Sequence, residues 1–191
     1  MASPLMEASC MRKVIPLSKR PFDVIFLVFF FINIIFITYI VDFEQIAVPG
    51  PVDPAVVTNP DAKNFTYPIW PPAACIDLVH WWGVNFDPVL LARPAWWMAT
   101  IWLDTLLFGP FYLAAIYAFI RGREWIRLPA IIFSAVLFTN VTVILSEEIW
   151  GATASPVLGI VLLANAPWFV FPFLIISRMW KEHPFTKEEA L

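Results

Sequence analysis

The chain has 191 residues, of which 60% are hydrophobic, 17% aromatic and only 14% charged, with a formal net charge of −3. Ordinary globular chains carry about 45–50% apolar residues, and so few charges cannot coat a globule of this size. That composition excludes a soluble domain, and no basic cluster interleaved with aromatics points to DNA or RNA.

Four windows are long and apolar enough to cross about 30 Å of hydrocarbon, which takes about 20 helical residues. The first, over 24–41, is interrupted only by Asn33 and Thr38. Basic residues precede it and no small-residue cleavage site follows it, so it reads as a retained helix. A loop over 42–94 comes next, rich in proline but also in aromatics, among them Trp70, Trp81, Trp82 and Phe86. A disordered linker would be poor in such residues. An ordered cap is expected, with a short interfacial helix over 73–82 whose tryptophans sit at headgroup level. Within the cap, Asn64-Phe65-Thr66 is an acceptor sequon for glycosylation.

The second window, 95–120, holds Asp104 near its middle and Gly109-Pro110 shortly after. A carboxylate there costs about 2.5–3.5 kcal/mol on insertion scales and persists only where it meets a partner, a cavity or water. The third window covers about 128–149, with Pro129 in its first turn, where proline is tolerated. Its Asn140-Val141-Thr142 matches the sequon but lies inside the span. The fourth covers about 157–180 and contains Asn165, Pro167 and Pro172. Internal prolines kink helices and free carbonyls that are tolerated beside a cavity or a neighbour. The expected fold is thus all-α: a polytopic four-helix membrane bundle with proline-kinked helices and an ordered non-cytoplasmic loop. Residues 1–21 form an N-terminal extension, 22–180 one membrane domain and 181–191 a tail.

Of the 12 Lys and Arg residues, only Lys63 and Arg93 fall on the side of the 42–94 loop. The other ten, before the first span, between the second and third and after the fourth, put both termini on the cytoplasmic side. Cys10 and Cys75 then face opposite sides, which argues against a disulfide. His80 and His183 stand alone and no Cys/His spacing suits a metal, so neither metal nor cofactor is expected.

Asp104 lies nine residues beyond Ala95, about 14 Å into its helix at 1.5 Å per residue. Asp42 closes the first span on the same side, Asp87 precedes the second, and Glu147 and Glu148 end the third. An acidic pocket opening on that side is geometrically feasible, with Thr38, Asn140 and Asn165 among candidates to line it. Each residue also has a structural reading. Asp42 suits a solvated interfacial carboxylate, and Glu147 and Glu148 mark a helix end. The amides and hydroxyls suit interhelical bonding, and Asp104 suits a buried carboxyl satisfied by a neighbouring hydroxyl.

Several strings resemble, in order and spacing, the sigma-2-receptor-like branch of the EXPERA-domain family, which also holds the emopamil-binding sterol isomerase. They include Asp42-Phe-Glu-Gln45, Trp82 with Asp87-Pro-Val-Leu-Leu91, Pro94-Ala-Trp96, Asp104 with Pro110-Phe111, and Trp125-Ile-Arg127-Leu-Pro-Ala-Ile-Ile132. Ala166-Pro167-Trp168 with Pro172-Phe173 extends the likeness to the fourth span, over about 22–180 in all. The resemblance implies a lipid-accessible cavity for sterols and amphiphilic amines, in a bundle that is often dimeric. It also implies that Asp42 pairs with a ligand's ammonium, that Asp87 supports it, and that Asp104 stands where the family has a cavity glutamate. Trp168 joins the ring-binding wall. Charge-assisted bonding would hold the polar head and aromatic faces the ring body.

Several departures bear on activity, specificity and location. No span contains a histidine and Thr38 sits four residues before Asp42, which argues against the proton transfer of the isomerases. Phe108 replaces a polar cavity residue, and Asp replaces Glu at 104. The 48–70 segment is an insertion, and the chain ends Glu188-Glu-Ala-Leu191 without a lysine-rich retention tail. The leading expectation is a non-enzymatic sterol-, lipid- or cationic-amphiphile-binding protein of the endoplasmic reticulum or a related endomembrane, acting in sterol handling. One alternative is an accessory subunit of a larger membrane complex that reuses the fold. A sterol isomerase-like enzyme is the second, disfavoured alternative.

Overall fold

A computed structural model of the protein describes residues 11–189. Cys10, the first ten residues of the N-terminal extension and the last two residues of the chain lie outside the described residues. In chain order the elements are strand β1 (Met11–Val14), helices α1 (Pro21–Ala47), α2 (Ala73–Asn85), α3 (Val89–Ala92), α4 (Ala95–Arg121), α5 (Glu124–Trp150) and α6 (Leu158–Met179), and strand β2 (Thr186–Glu189). Four helices, α1, α4, α5 and α6, are long and apolar enough to span a membrane.

The core between them is aromatic. Phe30, Phe108, Tyr112, Phe119 and Phe133 are buried where α1, α4 and α5 meet. Phe111 stacks on Phe133 at 4.2 Å between centroids, and Phe29 stacks on Phe171 of α6 at 4.1 Å. Large rings suit this setting because each offers broad contact area with few rotatable bonds, and offset or edge-on pairs add about 0.5–1.5 kcal/mol. The lipid-facing sides keep their own apolar residues exposed, among them Phe22, Phe31, Leu106, Leu163 and Trp180.

The two described ends of the chain meet. Strands β1 and β2 pair antiparallel, Met11 opposite Glu189 and Val14 opposite Thr186, so both lie at one end of the bundle. Beneath them Asp23 is buried between two guanidiniums, Arg20 of the β1–α1 connection and Arg178 of α6, the latter donating from Nε at 2.6 Å and Nη2 at 3.0 Å. Arg20 and Arg178 both lie over the Phe185 ring, 4.9 and 5.0 Å from its centroid, and Arg20 Nη2 donates to the Phe119 carbonyl at 2.8 Å.

Two long helices depart from regular α geometry. Asn33–Asp42 in α1 and Asp104–Phe108 in α4 adopt the wider i→i+5 turns of a π-helix, a form concentrated at functional sites. In α4 the wide stretch ends at Gly109-Pro110, where proline has no N–H for the regular ladder. Gly109 lets α1 and α4 approach closely: a Cβ there would lie 2.9 Å from the Tyr39 hydroxyl and 3.1 Å from Thr38 Cγ2. The wide stretch of α1 also leaves the Tyr39 carbonyl to accept from Trp70 Nε1 of the loop at 2.6 Å. Pro167 and Pro172 lie inside a helix that continues from Leu158 to Met179.

The first helix runs on to Ala47, six residues past the boundary read from hydropathy. The reason is polar rather than apolar: Glu44 and Gln45 are buried by partners from the cap. Between the first two spanning helices the loop is ordered, with Val48, Val52, Val56, Ile76 and Leu91 forming a small core of their own.

Candidate functional site

A cavity of about 540 Å³ lies between α1, α2, α4, α5 and α6, within the range of about 300–1,000 Å³ typical of drug-sized ligand sites. Aromatic walls come from Phe36, Trp81, Trp82, Trp97, Phe108 and Trp168, and aliphatic ones from residues such as Leu78, Leu90, Ile101 and Ile144. Three carboxyls open on it: Asp42, Asp87 and Asp104. Asn140 and Asn165 also line it, while Thr38 stands behind Asp104 and donates from Oγ1 to Asp104 Oδ1 at 2.5 Å.

The two π-type stretches build the centre of this site. Each widened turn turns a carboxyl toward the other helix, so that Asp42 and Asp104 face each other within hydrogen-bonding reach. Two carboxyls in contact hold either a shared proton or a cation between them, since like charges that close cannot both stay bare. Trp168 sits at the α1–α6 seam, where its Nε1 donates to Asn33 Oδ1 at 2.7 Å. The same indole borders a second, lipid-side groove lined by Val24, Val28, Phe29 and Phe171. Asn165 spends its amide on its own helix, donating to the Val161 carbonyl at 3.0 Å.

Asp87 caps the short run into α3, and its partner comes from elsewhere than the other two aspartates. It faces Glu148 of α5 and receives the Val89 backbone N–H. Burial pushes the Asp87 carboxyl above the usual carboxylate range, with those two contacts opposing the rise. Glu148 had read as one of two markers of a helix end; it is instead 1% exposed and faces the Asp87 carboxyl within hydrogen-bonding reach. Its neighbour Glu147 does close the helix, accepting from Thr153 N and Oγ1 at 2.8 and 2.7 Å.

His80 had read as isolated and is not. Its Nε2 lies 2.9 Å from Glu44 Oε1, and Arg93 Nη2 donates to both Glu44 oxygens at 2.8 and 2.9 Å. Gln45 extends the network, donating to Glu44 and accepting from Trp97 Nε1 at 3.1 Å. Arg93 holds a left-handed conformation, φ 49°. That conformation is rare for a residue with a side chain, and here it is fixed by Arg93 bonds to the Leu90, Gln45 and Val48 carbonyls. Gly50 passes so close that a Cβ would overlap this arginine. The network buries its charges as an opposed pair and locks the end of α1 to the cap. A usable signal existed: an Arg and a Glu at adjacent span ends on one side of the membrane.

Of the remaining candidates, Asn64 is exposed on the cap. Cys75 is a free thiol bordering the cavity. Among the described residues no group of three or more His, Cys, Asp or Glu is placed to hold a metal ion.

The architecture so far defines a class: an integral membrane protein of four spanning helices around an aromatic cavity with paired carboxyls. The family model for the EXPERA (EXPanded EBP superfamily) domain matches residues 75–179, and the chain belongs to that family. It is 31% identical over 130 residues to Sigma intracellular receptor 2 of Xenopus tropicalis, covering 62% of this chain and 75% of that protein. To the Homo sapiens protein of the same name it is 30% identical over 127 residues, covering 59% and 72%.

Proposed function

We propose that the protein binds sterols or cationic amphiphiles without turning them over, in the cavity centred on Asp42 and Asp104, and that it serves in sterol handling. The coarser part, a membrane protein of a sterol-related binding family, rests on family membership. For the finer part, the observation that carries the reading is the apposed Asp42–Asp104 pair inside an aromatic cavity of about 540 Å³. Such a pair is balanced by a shared proton or by a cation, and an ammonium on an apolar body offers the cation together with a body for the aromatic walls. Trp82, Trp97 and Trp168 offer faces to rings and to the cation. His80 faces Glu44 rather than the cavity, and no histidine is among the residues that line it, which favours binding over the histidine-dependent isomerisation of the family's enzymes.

In this reading the lipid-side groove at Trp168 is the route by which a membrane-dissolved ligand enters. The end bearing β1, β2 and ten of the twelve basic residues is cytoplasmic, the cap faces the opposite compartment, and the membrane is that of the endoplasmic reticulum or a relative. Asn64 is then on the side where a sequon is glycosylated. The test is saturable binding of a sterol photoprobe and of a cationic amphiphile to the purified protein in nanodiscs, with mass spectrometry of co-purifying lipid. Asp42→Asn is expected to weaken amine binding at least tenfold. Amine binding at wild-type affinity in that variant would overturn the charge-pairing role.

A further inference from the structure

Three contacts fix how deep the loop between the first two spanning helices reaches. Phe65 packs edge-on against His80 of α2, 5.3 Å between centroids, and His80 faces Glu44 of α1. Two residues on, the Tyr67 hydroxyl donates at 2.5 Å to Oδ1 of Asp77, three residues earlier in α2. Trp70 then reaches the Tyr39 carbonyl of α1. The chain turns back at Pro71 and Pro72, and α2 climbs from Ala73 to Asn85. Residues 65–85 thus form a hairpin whose tip lies lower than its two ends.

The level of that tip follows from α1. Glu44 is bonded to Arg93, which directly precedes the second spanning helix, so the pair marks where the bundle leaves the hydrocarbon. Tyr39 is deeper along α1 by about 7 Å at 1.5 Å per residue. Interfacial segments bury their apolar face to about 5–10 Å. The tip has the side chains for such a depth: Ile69 is fully exposed and Trp70 half-exposed. Beside them Leu78 and Trp81 of α2 and Ile35 and Phe36 of α1 are half-exposed too, so the tip adjoins the lipid-facing side of a spanning helix.

The polar groups here are held down. Lys63 and Asp77 neutralise each other, Nζ to Oδ1 at 3.2 Å. Pro68, Pro71 and Pro72 carry no N–H, which removes donors that hydrocarbon would leave unbonded. Single exposed apolar side chains are ordinary; depth, apolar continuity and paired charge together are not. We propose that the tip over 67–72 is a re-entrant anchor, inserted among the acyl chains of the cap-side leaflet. Its partner is the lipid itself, whatever the cavity binds. The hairpin then passes below the headgroup level read from its tryptophans. Its ascending limb, through Cys75, Leu78 and Trp81, stands as a wall between cavity and lipid.

The experiment puts a spin label at the tip, through Ile69→Cys, or at the top of the ascending limb, through Asn85→Cys. Both are made in the full chain carrying Cys10→Ser and Cys75→Ser, in phosphatidylcholine nanodiscs. Collisions with oxygen, which concentrates in hydrocarbon, are compared with collisions with a water-soluble nickel chelate. The oxygen-to-nickel ratio at the tip is expected to exceed that at the top of the limb by about fivefold or more, as insertion to about 5–10 Å requires. Equal ratios would overturn the anchor and leave the exposed tip to a soluble partner. If the chain without its cysteines fails to fold, the unaltered protein is illuminated in nanodiscs holding a phosphatidylcholine with a diazirine in the upper half of one acyl chain. Mass spectrometry is expected to find adducts within 67–72 as well as at Ile35 and Phe36. Adducts on α1 with none in that segment would also overturn the proposal.

Discussion

The two ends of the bundle treat buried charge in opposite ways. At the end that carries both described termini, Asp23 lies between Arg20 and Arg178, and the guanidiniums spend their remaining donors on the Ile15, Phe119 and Pro184 carbonyls. At the cavity, Asp42 faces Asp104 and Asp87 faces Glu148. The first cluster is complete, and nothing further is asked of it. The second sets carboxyl against carboxyl in an apolar setting, so each pair needs a shared proton or a cation between its members. Buried charges with opposite partners hold a fold in register, whereas buried like charges are retained only where something else compensates them.

That contrast is open to test by substitution. Asp23→Ala should have the largest effect on stability: it strands Arg20, whose side chain is 4% exposed, at a cost of about 3–5 kcal/mol. The thermal midpoint in detergent should drop sharply, while the folded fraction still binds amine. A midpoint near wild type would show that the terminal knot is not structural. Gly109→Ala forces a methyl against Tyr39 and Thr38 and should cost about 1–3 kcal/mol by overpacking. Because Thr38 holds Asp104, ligand affinity should fall together with stability; a loss of stability alone would separate the helix seam from the site.

Asp42→Asn should do the reverse of Asp23→Ala. Relief of the contact with Asp104 should leave the thermal midpoint equal or higher, while amine affinity falls at least tenfold, about 1.4 kcal/mol. A lowered midpoint would place Asp42 with the structural charges. Smallest is Trp168→Phe, which removes part of the ring and the indole donor to Asn33, a bond worth about 1 kcal/mol. If Trp168 guards the lipid-side entrance, this variant should raise the rates of ligand binding and release more than it changes the affinity, as stopped-flow measurements would record.

The bundle was legible because the bilayer imposes length and apolarity on each spanning helix separately, so each window declares itself. Asp42, Asp87 and Asp104 were legible for the complementary reason, that a carboxylate within or beside such a window must be compensated. The partners were less accessible. Glu44 and His80 are 36 residues apart and Glu44 and Arg93 are 49 apart, brought together by a proline-rich loop whose path no periodicity reveals. Glu148 could not be told from Glu147 because the direction of one side chain at a helix end depends on the turn that follows. The wide turns of α1 and α4 left only an indirect trace, Gly109-Pro110 just beyond one of them, since π geometry has no composition of its own.

The pairing of β1 with β2 has a mechanical side. Met11 lies opposite Glu189, so the outermost residues of the ladder are also those nearest the chain ends. Tension applied between the ends therefore loads its hydrogen bonds one after another, as a zip opens, and the ladder yields at low force. Behind it, Arg20 and Arg178 grip Asp23 from two sides, where several bonds must stretch at once. The clasp is thus a soft latch in front of a stiff bolt: a pull on either tail opens the strands long before the first and fourth spanning helices feel it.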